Sequence, residues 1–163
     1  MADNQQEQLL TWLNDAHAME TSIVQVLQNH ATDAKKHPKL QEAIEKHLNQ
    51  TKRHAELVEQ MINELGGSVS AAKSGMSSVM GKMHGASTAF ADDELVKNAL
   101  ADFSTEHFEM ASYKAIMTAA KQLNLPNLVS TCQEILRDEE WMAKFLDENL
   151  PTVVKDTLMQ KAA

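Results

Sequence analysis

The sequence predicts an all-α fold, a bundle of four long helices, from three observations. Its 163 residues include 21 Ala, 17 Leu and 10 Met but only 9 Val, 5 Ile and 7 aromatic residues, and this excess of helix formers argues against an all-β fold. Four stretches carry apolar residues at the helical spacing of three and four. The only three prolines, Pro38, Pro126 and Pro151, punctuate those stretches.

The first two predicted helices, at about 5–32 and 38–65, form a hairpin. The apolar ladder of helix one consists of Leu9, Leu13, Ala16, Glu20, Ile23 and Leu27. Helix two begins at Pro38, which suits a first helical turn. Its ladder consists of Leu40, Ile44, His47, Thr51, His54, Val58, Met61 and Leu65. A connection of about five residues makes the two helices antiparallel, and Gly66-Gly67 ends the second.

The next segment, 66–91, is long and rich in Gly, Ser, Ala and Met. A loop of this length inside a compact domain needs an explanation, and we interpret it as a crossover along the bundle. Helices three and four follow at about 92–122 and 126–148. Their ladders consist of Ala99, Phe103, Glu106, Met110, Tyr113 and Met117, and of Leu128, Cys132, Ile135, Glu139, Met142 and Leu146.

Only about three residues join helices three and four, so they form a second antiparallel hairpin. Pro151 is expected to end helix four, with a short fifth helix after it. Two hairpins joined by one long crossover is the ferritin-like arrangement. The sequence therefore predicts a single ferritin-like domain over residues 1–163.

Composition excludes several classes of function. The net charge of −8 and the lack of a dense Lys/Arg run make nucleic acid and anionic membranes poor partners. The single cysteine, Cys132, excludes an intrachain disulfide framework and a thiolate zinc cluster. The polar N-terminus lacks the apolar core of a signal peptide, and no apolar run is long enough to span a bilayer. A cytoplasmic protein is expected.

Each ladder is interrupted by polar residues near the midpoint of its helix. Antiparallel helices of similar length bring their midpoints into one layer, and unpaired buried carboxylates there need protons, partners or a metal. Carboxylates with histidine in a bundle core form di-iron and di-manganese sites. The predicted ligands are Glu20, His47, His54, Glu106 and Glu139. For the two histidines, a core imidazole bonded to a carboxylate is the competing interpretation.

Neighbouring residues extend this prediction. Glu109 lies at the edge of the same stripe and is either a further ligand or a support for one. His17, Gln50 and Tyr113 are expected around the ligands as hydrogen-bonding partners. In contrast, His30, His37 and His84 are expected at the surface, as are His107, Asp138 and Glu140. The strict signature of such sites, two Glu-x-x-His motifs, is absent. At the corresponding positions, three residues apart, helix two has Gln50 and Arg53, and helix four has Glu139 and Met142.

These segments resemble the YciE/YciF group of ferritin-like proteins, with the YciE branch the nearest. The resemblance runs from Trp12 to Pro151 and is strongest over 12–20, 47–52, 106–113 and 135–140. It implies a dimeric four-helix bundle from bacteria that is tied to stress responses. One departure is Gln50, where the family usually has Glu. An amide is the weaker oxygen ligand, which leaves a single-metal site, a site completed by His54, or no site as alternatives.

Two functions remain in competition. The first is a redox metalloprotein whose two iron or manganese ions act on oxygen or peroxide, in a ferroxidase or a catalase-like reaction. The second is a metal-poor dimeric binding module of the stress response, without catalysis. Iron storage, which needs a closed cage of subunits, is a weaker third. A homodimer is expected because apolar residues lie outside the central seam: Leu10, Trp12, Leu48, Leu57, Leu100 and Phe108.

Overall fold

A computed structural model describes residues 2–69 and 93–161, which form four long helices. The helices are α1 (Ala2–Asp33), α2 (Pro38–Glu64), α3 (Glu94–Gln122) and α4 (Pro126–Lys161), and a 3-10 turn (Ala34–Lys36) joins the first two. The predicted all-α fold is confirmed over these ranges. None of these helices is long and apolar enough to cross a membrane.

Proline and left-handed residues set the ends of the helices. Pro38 and Pro126 occupy the first positions of α2 and α4, where the missing N–H costs no helical hydrogen bond. At the end of α2, Gly66 has φ of 75° and the Gly67 N–H donates to the Ile62 carbonyl at 3.0 Å. Asn124 has φ of 55° and closes α3 in the same way. Both helices therefore end in a Schellman motif.

The helices pack as two antiparallel hairpins. α1 pairs with α2 and α3 pairs with α4, while α1 also contacts α3 and α2 contacts α4. Side-chain pairs fix the directions: Glu20 meets Tyr113 and, further along α1, His30 meets Asp102. As the residue number rises on α1 it falls on α3, so these helices are antiparallel. α2 and α3 therefore run in the same direction.

Because α2 and α3 are consecutive in sequence and parallel, the segment between them has to return along the length of the bundle. α2 is 27 residues long, which corresponds to about 40 Å. The predicted crossover at 66–91 fits this need, although most of it falls in 70–92, outside the described residues. The two predicted hairpins and their connectivity are confirmed by the packing of the described helices.

The prediction of a short fifth helix after Pro151 is wrong. α4 continues through Pro151 to Lys161 as one helix of 36 residues. Pro151 is exposed, as is Asp147 one turn earlier, so the carbonyl that loses its N–H partner can face water. Val153, buried two residues later, packs into the core, and Asp156 lies 3.4 Å from His37, the residue before α2. These contacts oppose the cost of an internal proline, which is roughly 3 kcal/mol.

The apolar core lies above and below a polar layer at mid-bundle. Leu9, Leu13, Met61 and Ile135 are among its fully buried members toward one end, and Leu27 and Leu146 toward the other. Of the six side chains predicted for a dimer interface, four are only half-buried against this core, and Trp12 and Leu100 are the most open, at 42% and 47% exposed.

Candidate metal centre

The structure brings all six predicted ligand side chains into one buried layer. α1 contributes one, α2 two, α3 two and α4 one, and none is more than 1% exposed. We call this set the Glu/His cluster; its members are Glu20, His47, His54, Glu106, Glu109 and Glu139.

Helical spacing explains why α2 serves the cluster twice. His47 and His54 are seven residues apart, which is two turns of the same face. Thr51 lies between them, fully buried, and its hydroxyl donates to the His47 carbonyl at 3.0 Å, so it makes no demand on the cluster. Glu106 and Glu109 are three residues apart and share one face of α3.

The first candidate site lies between α2, α3 and α4. His47, Glu106, Glu109 and Glu139 each offer one atom within 4.8 Å of all the others. His47 Nε2 lies 3.2 Å from Glu106 Oε1 and 3.4 Å from Glu139 Oε2. Three carboxylates and one imidazole are donors that suit iron or manganese.

The second candidate site lies between α1, α2 and α4. Glu20, His54 and Glu139 again offer atoms within 4.8 Å of one another. His54 Nδ1 lies 2.9 Å from Glu139 Oε1 and 3.7 Å from Glu20 Oε2. Glu139 belongs to both groups and directs one oxygen toward each histidine, so it is the residue that the two groups share.

Most polar atoms of the cluster make no well-aligned hydrogen bond. Both oxygens of Glu109 and of Glu139 are buried without one, and so are one oxygen of Glu20, one of Glu106 and both ring nitrogens of His47. Each buried polar atom left in this state costs about 1–3 kcal/mol. Bound cations would satisfy these carboxylate oxygens and the ring nitrogens that face them, so the donor set fits a metal pair.

Burial raises the pKa values of three carboxyl groups. Desolvation raises the pKa of Glu106 to about 8, even though His47 opposes the shift. Burial, reinforced by the negative charges of Glu139, Glu20 and Glu106, raises the pKa of Glu109 well above its usual range. The pKa of Glu20 is raised for the same reason. The layer thus carries more carboxylate than its two imidazoles can neutralise.

The imidazoles and Glu139 respond in the opposite sense. Burial disfavours a charged ring, but the contact with Glu106 outweighs it and raises the pKa of His47 to about 9. Glu139 and Glu20 raise the pKa of His54 to about 11. Glu139 is also desolvated, yet its two imidazole neighbours lower its pKa. Glu139 is therefore the carboxylate held most firmly in its charged form.

Two further groups orient the ligands. The buried Tyr113 hydroxyl donates a hydrogen bond to Glu20 Oε1, which leaves Oε2 toward His54. His54 Nε2 lies 3.2 Å from Asp138 Oδ2, and Asp138 is 27% exposed. A carboxylate on one ring nitrogen fixes the imidazole tautomer and turns the other nitrogen toward a metal.

The structure places the other predicted supporting residues differently. Gln50 is half-buried with its amide oxygen buried and unpartnered. His17 is half-buried, and no ion pair or hydrogen bond joins its ring to the cluster within the described ranges. Tyr113 alone among the three makes a hydrogen bond to a predicted ligand.

Three predictions of surface exposure are wrong. The side chain of His37 is only 16% exposed and lies 3.4 Å from Asp156. Asp138 reaches inward to His54, because helix packing turns its side of α4 toward α2. His30 is 11% exposed and its Nδ1 lies 2.7 Å from Oδ1 of the buried Asp102. A signal was present in the sequence, since Asp102 lies one turn before Glu106 and His30 lies three residues after Leu27. His84 falls outside the described residues, and His107 is exposed as predicted.

Solved structures share this fold. A protein from Xanthomonas campestris pv. campestris is 28% identical, with a TM-score of 0.83 over 98% of this chain and 99% of that one. The E. coli stress protein YciF is 22% identical, with a TM-score of 0.76 over 93% and 97%. A structure titled as ferritin-like, diiron-carboxylate proteins from Bacillus anthracis str. Ames is 19% identical, with a TM-score of 0.68 over 90% and 97%. The ferritin-like fold is confirmed.

A family model also matches almost the whole chain. It is described as "Domain of unknown function (DUF892)" and covers residues 4–159. Together with the likeness to YciF, this match confirms the resemblance to the YciE/YciF group, while the nearness to the YciE branch stays a prediction. The chain belongs to the DUF892 family.

Proposed function

We propose that this protein is a di-metal carboxylate protein that binds two iron or manganese ions in the Glu/His cluster and acts on oxygen or peroxide. The observation that carries the proposal is the pair of buried ligand groups that share Glu139. Support comes from the unpartnered donor atoms of these groups and from the diiron-carboxylate title of a structural neighbour. The proposed setting is a stress response in the bacterial cytoplasm.

Charge supports two ions rather than one. The cluster contains four carboxylates, which carry a total charge of −4 when all are ionised. Two divalent ions supply +4, which would balance these four carboxylates, whereas the empty layer relies on its two imidazoles and on the protons that the raised pKa values of Glu106 and Glu109 retain. Binding of metal and folding stability should therefore be linked.

The chain's own residues set the chemistry that the site can perform. His47, Glu106 and Glu109 would hold one ion, Glu20 and His54 the other, and Glu139 would bridge them. Iron or manganese bound there supplies one-electron exchange with oxygen or peroxide. Tyr113 holds Glu20 through its hydroxyl, and the surrounding apolar side chains limit access of water to the layer. A ferroxidase and a catalase-like reaction both fit this arrangement.

The two sites differ in strength. The first group has four donors, three of them carboxylates, and the second has three donors, of which one is the shared Glu139. α2 supplies only an imidazole to each group and no carboxylate, because Gln50 carries an amide where the resembled family usually has Glu. We expect the site of Glu20 and His54 to bind its ion more weakly.

Metal analysis of the purified protein tests the proposal. Apo protein is titrated with Fe²⁺ under anaerobic conditions or with Mn²⁺, and bound metal is measured by elemental analysis after gel filtration. The parent should bind more than one ion per chain, and Glu139→Ala should bind none, while the exposed neighbour variant Glu140→Ala should match the parent. A parent that retains no metal refutes the proposal and favours the metal-poor binding module. Oxygen evolution from peroxide, compared with Fe²⁺ oxidation, then separates the two reactions.

We also propose that the protein is a homodimer. Trp12 and Leu100 are large apolar side chains exposed by 42% and 47%. Trp12 also borders a groove of about 170 Å³ between α1 and α3, together with Ala16, Ala115 and Ile116. Apolar surface of this kind on a bundle is typical of subunit contacts.

A further inference from the structure

Buried polar residues continue along α3 beyond the Glu/His cluster. Asp102 lies one turn before Glu106 and is 3% exposed, and Asn98 lies one turn before Asp102 with the same exposure. A helix face in a bundle core normally carries apolar side chains, because buried polar groups cost free energy unless they are satisfied. This face of α3 therefore needs a reason for its polarity.

Asp102 has only one of its oxygens satisfied. Oδ1 lies 2.7 Å from His30 Nδ1, while Oδ2 is buried without a partner. Glu106 Oε2 and both oxygens of Glu109 are in the same state. We call Asp102, Glu106 and Glu109 the carboxylate file, because positions i, i+4 and i+7 follow one face of a helix over about 10 Å.

The outer end of the file leads to acidic groups at the end of the bundle. Asp33, which is exposed, accepts a hydrogen bond from the Asn98 amide at 3.0 Å. The charges of Asp33 and Glu94, together with that of Asp102, act on His30. Polar side chains thus stand one turn apart on α3, at Asn98, Asp102 and Glu106, between the exposed Asp33 and the first candidate metal site.

We propose that Asp102 is a transit ligand for divalent cations. The cations enter where α1 ends and α3 begins, and they pass along the carboxylate file to Glu106 and Glu109. His30 holds Oδ1, which leaves the buried Oδ2 available to a cation. Successive carboxylates one turn apart have Cβ atoms about 5–6 Å apart, so a cation moves from one to the next without losing all its ligands. The acidic end raises the local cation concentration. This inference rests on the proposed metal centre.

Loading kinetics of the apo protein test the inference. Co²⁺ is the probe, because its visible absorption reports ligation, and its final amount is measured by elemental analysis. Asp102→Asn should slow loading about tenfold but leave the final Co²⁺ content unchanged. The matched control is Asp156→Asn, which removes the carboxylate of another Asp–His pair at the same end of the bundle. Asp156 is 43% exposed and pairs with His37 on the α2–α4 side, so this variant should load at the parent rate.

Each result has a defined meaning. If Asp102→Asn loads at the parent rate, the inference is overturned and the proposed metal centre still stands. The inference is also overturned if the final Co²⁺ content falls in the same proportion as the rate, because Asp102 would then act at the final site and not in transit. A parent that binds no Co²⁺ overturns the metal centre and the inference together. If Asp102→Asn does not fold, Asp33→Asn carries the test, since Asp33 is exposed. It should slow loading roughly twofold and reduce the dependence of the rate on salt, and an unchanged rate overturns the inference.

Discussion

Replacement of Glu139 by leucine should stabilise the metal-free protein and destabilise the metal-loaded protein relative to the parent. In the apo state, Glu139 adds a fourth carboxylate to a layer that has two imidazoles. Its oxygens contact the two imidazoles, Oε1 at 2.9 Å from His54 Nδ1 and Oε2 at 3.4 Å from His47 Nε2, and neither contact is a well-aligned hydrogen bond. Without it, His47 keeps Glu106 at 3.2 Å and His54 keeps Asp138 at 3.2 Å. No imidazole is therefore left unpaired, which is the usual penalty for removing one partner of a buried ion pair.

The structure sets the size of both effects. Leucine removes a buried carboxylate together with its contacts to the two imidazoles, and because each imidazole keeps another carboxylate, the free energy of unfolding of the apo protein should rise by about 1–3 kcal/mol. Free metal at about 100 times the dissociation constant should stabilise the parent by about 2.7 kcal/mol per ion, or about 5 kcal/mol for two. For a chain of this size, about 1 kcal/mol shifts the Tm by about 2–4 °C. The parent should thus gain about 10–20 °C on loading, and Glu139→Leu almost nothing.

Thermal melts followed by circular dichroism check this prediction: Glu139→Leu should have the higher Tm in EDTA, and the parent should have the higher Tm in excess Mn²⁺. Glu140→Leu is the matched control, because Glu140 is exposed and adjacent in sequence, and it should respond to Mn²⁺ as the parent does. A parent Tm that ignores both Mn²⁺ and Fe²⁺, with a higher Tm in Glu139→Leu, refutes the metal centre. A large loss of stability in apo Glu139→Leu refutes the argument that the metal-free layer holds more carboxyl groups than its imidazoles can pair.

Three further predictions follow from the same geometry. Elemental analysis of the protein as isolated should give fewer than two ions per chain. Gln50→Glu should raise this number, because a carboxylate binds a cation more strongly than an amide does. An unchanged metal content would place Gln50 outside the site. Urea unfolding of the apo protein should show a falling free energy of unfolding as pH rises from about 5 to 8. The folded-state pKa of Glu106 is raised to about 8 and those of Glu20 and Glu109 are also raised, so the folded state holds more protons than the unfolded one. A free energy of unfolding that rises with pH would contradict the burial of these three carboxyl groups. Light scattering at micromolar concentration should give twice the 18.1 kDa chain mass, and Trp12→Glu should shift the mass toward the monomer.

Local signals account for most of what the sequence predicts correctly about the fold. Pro38, Pro126 and Gly66 act within one helical turn, and the structure has helix ends at or next to each of them. Pro151 also acts locally, but its effect on α4 depends on tertiary contacts of Val153 and on the exposure of the preceding turn. Such contacts do not appear in a local pattern, so the predicted break was wrong.

The candidate ligands were accessible from the sequence because they interrupt apolar ladders near helix midpoints. Their convergence follows from packing antiparallel helices of similar length, although metal binding itself stays a prediction. The partners that orient them were not accessible in the same way. Asp138 lies beside Glu139 on α4, and only the rotation of α4 against α2 decides that it meets His54. His30 meets Asp102 across 72 positions of sequence. The spacing places each of them beside a buried ladder, but only the packing of α1 against α3 decides that they pair.

The unequal composition of the two ligand groups implies an order of binding. The group of His47, Glu106 and Glu109 holds more of the unpartnered carboxylate oxygens, and the proposed carboxylate file ends there. Under the proposed function, this group would therefore hold the first ion. A second ion would depend on His54, on the shared Glu139 and on Glu20 as its one unshared carboxylate. The affinity of that second ion, rather than the first, should measure what the protein loses by carrying an amide at position 50.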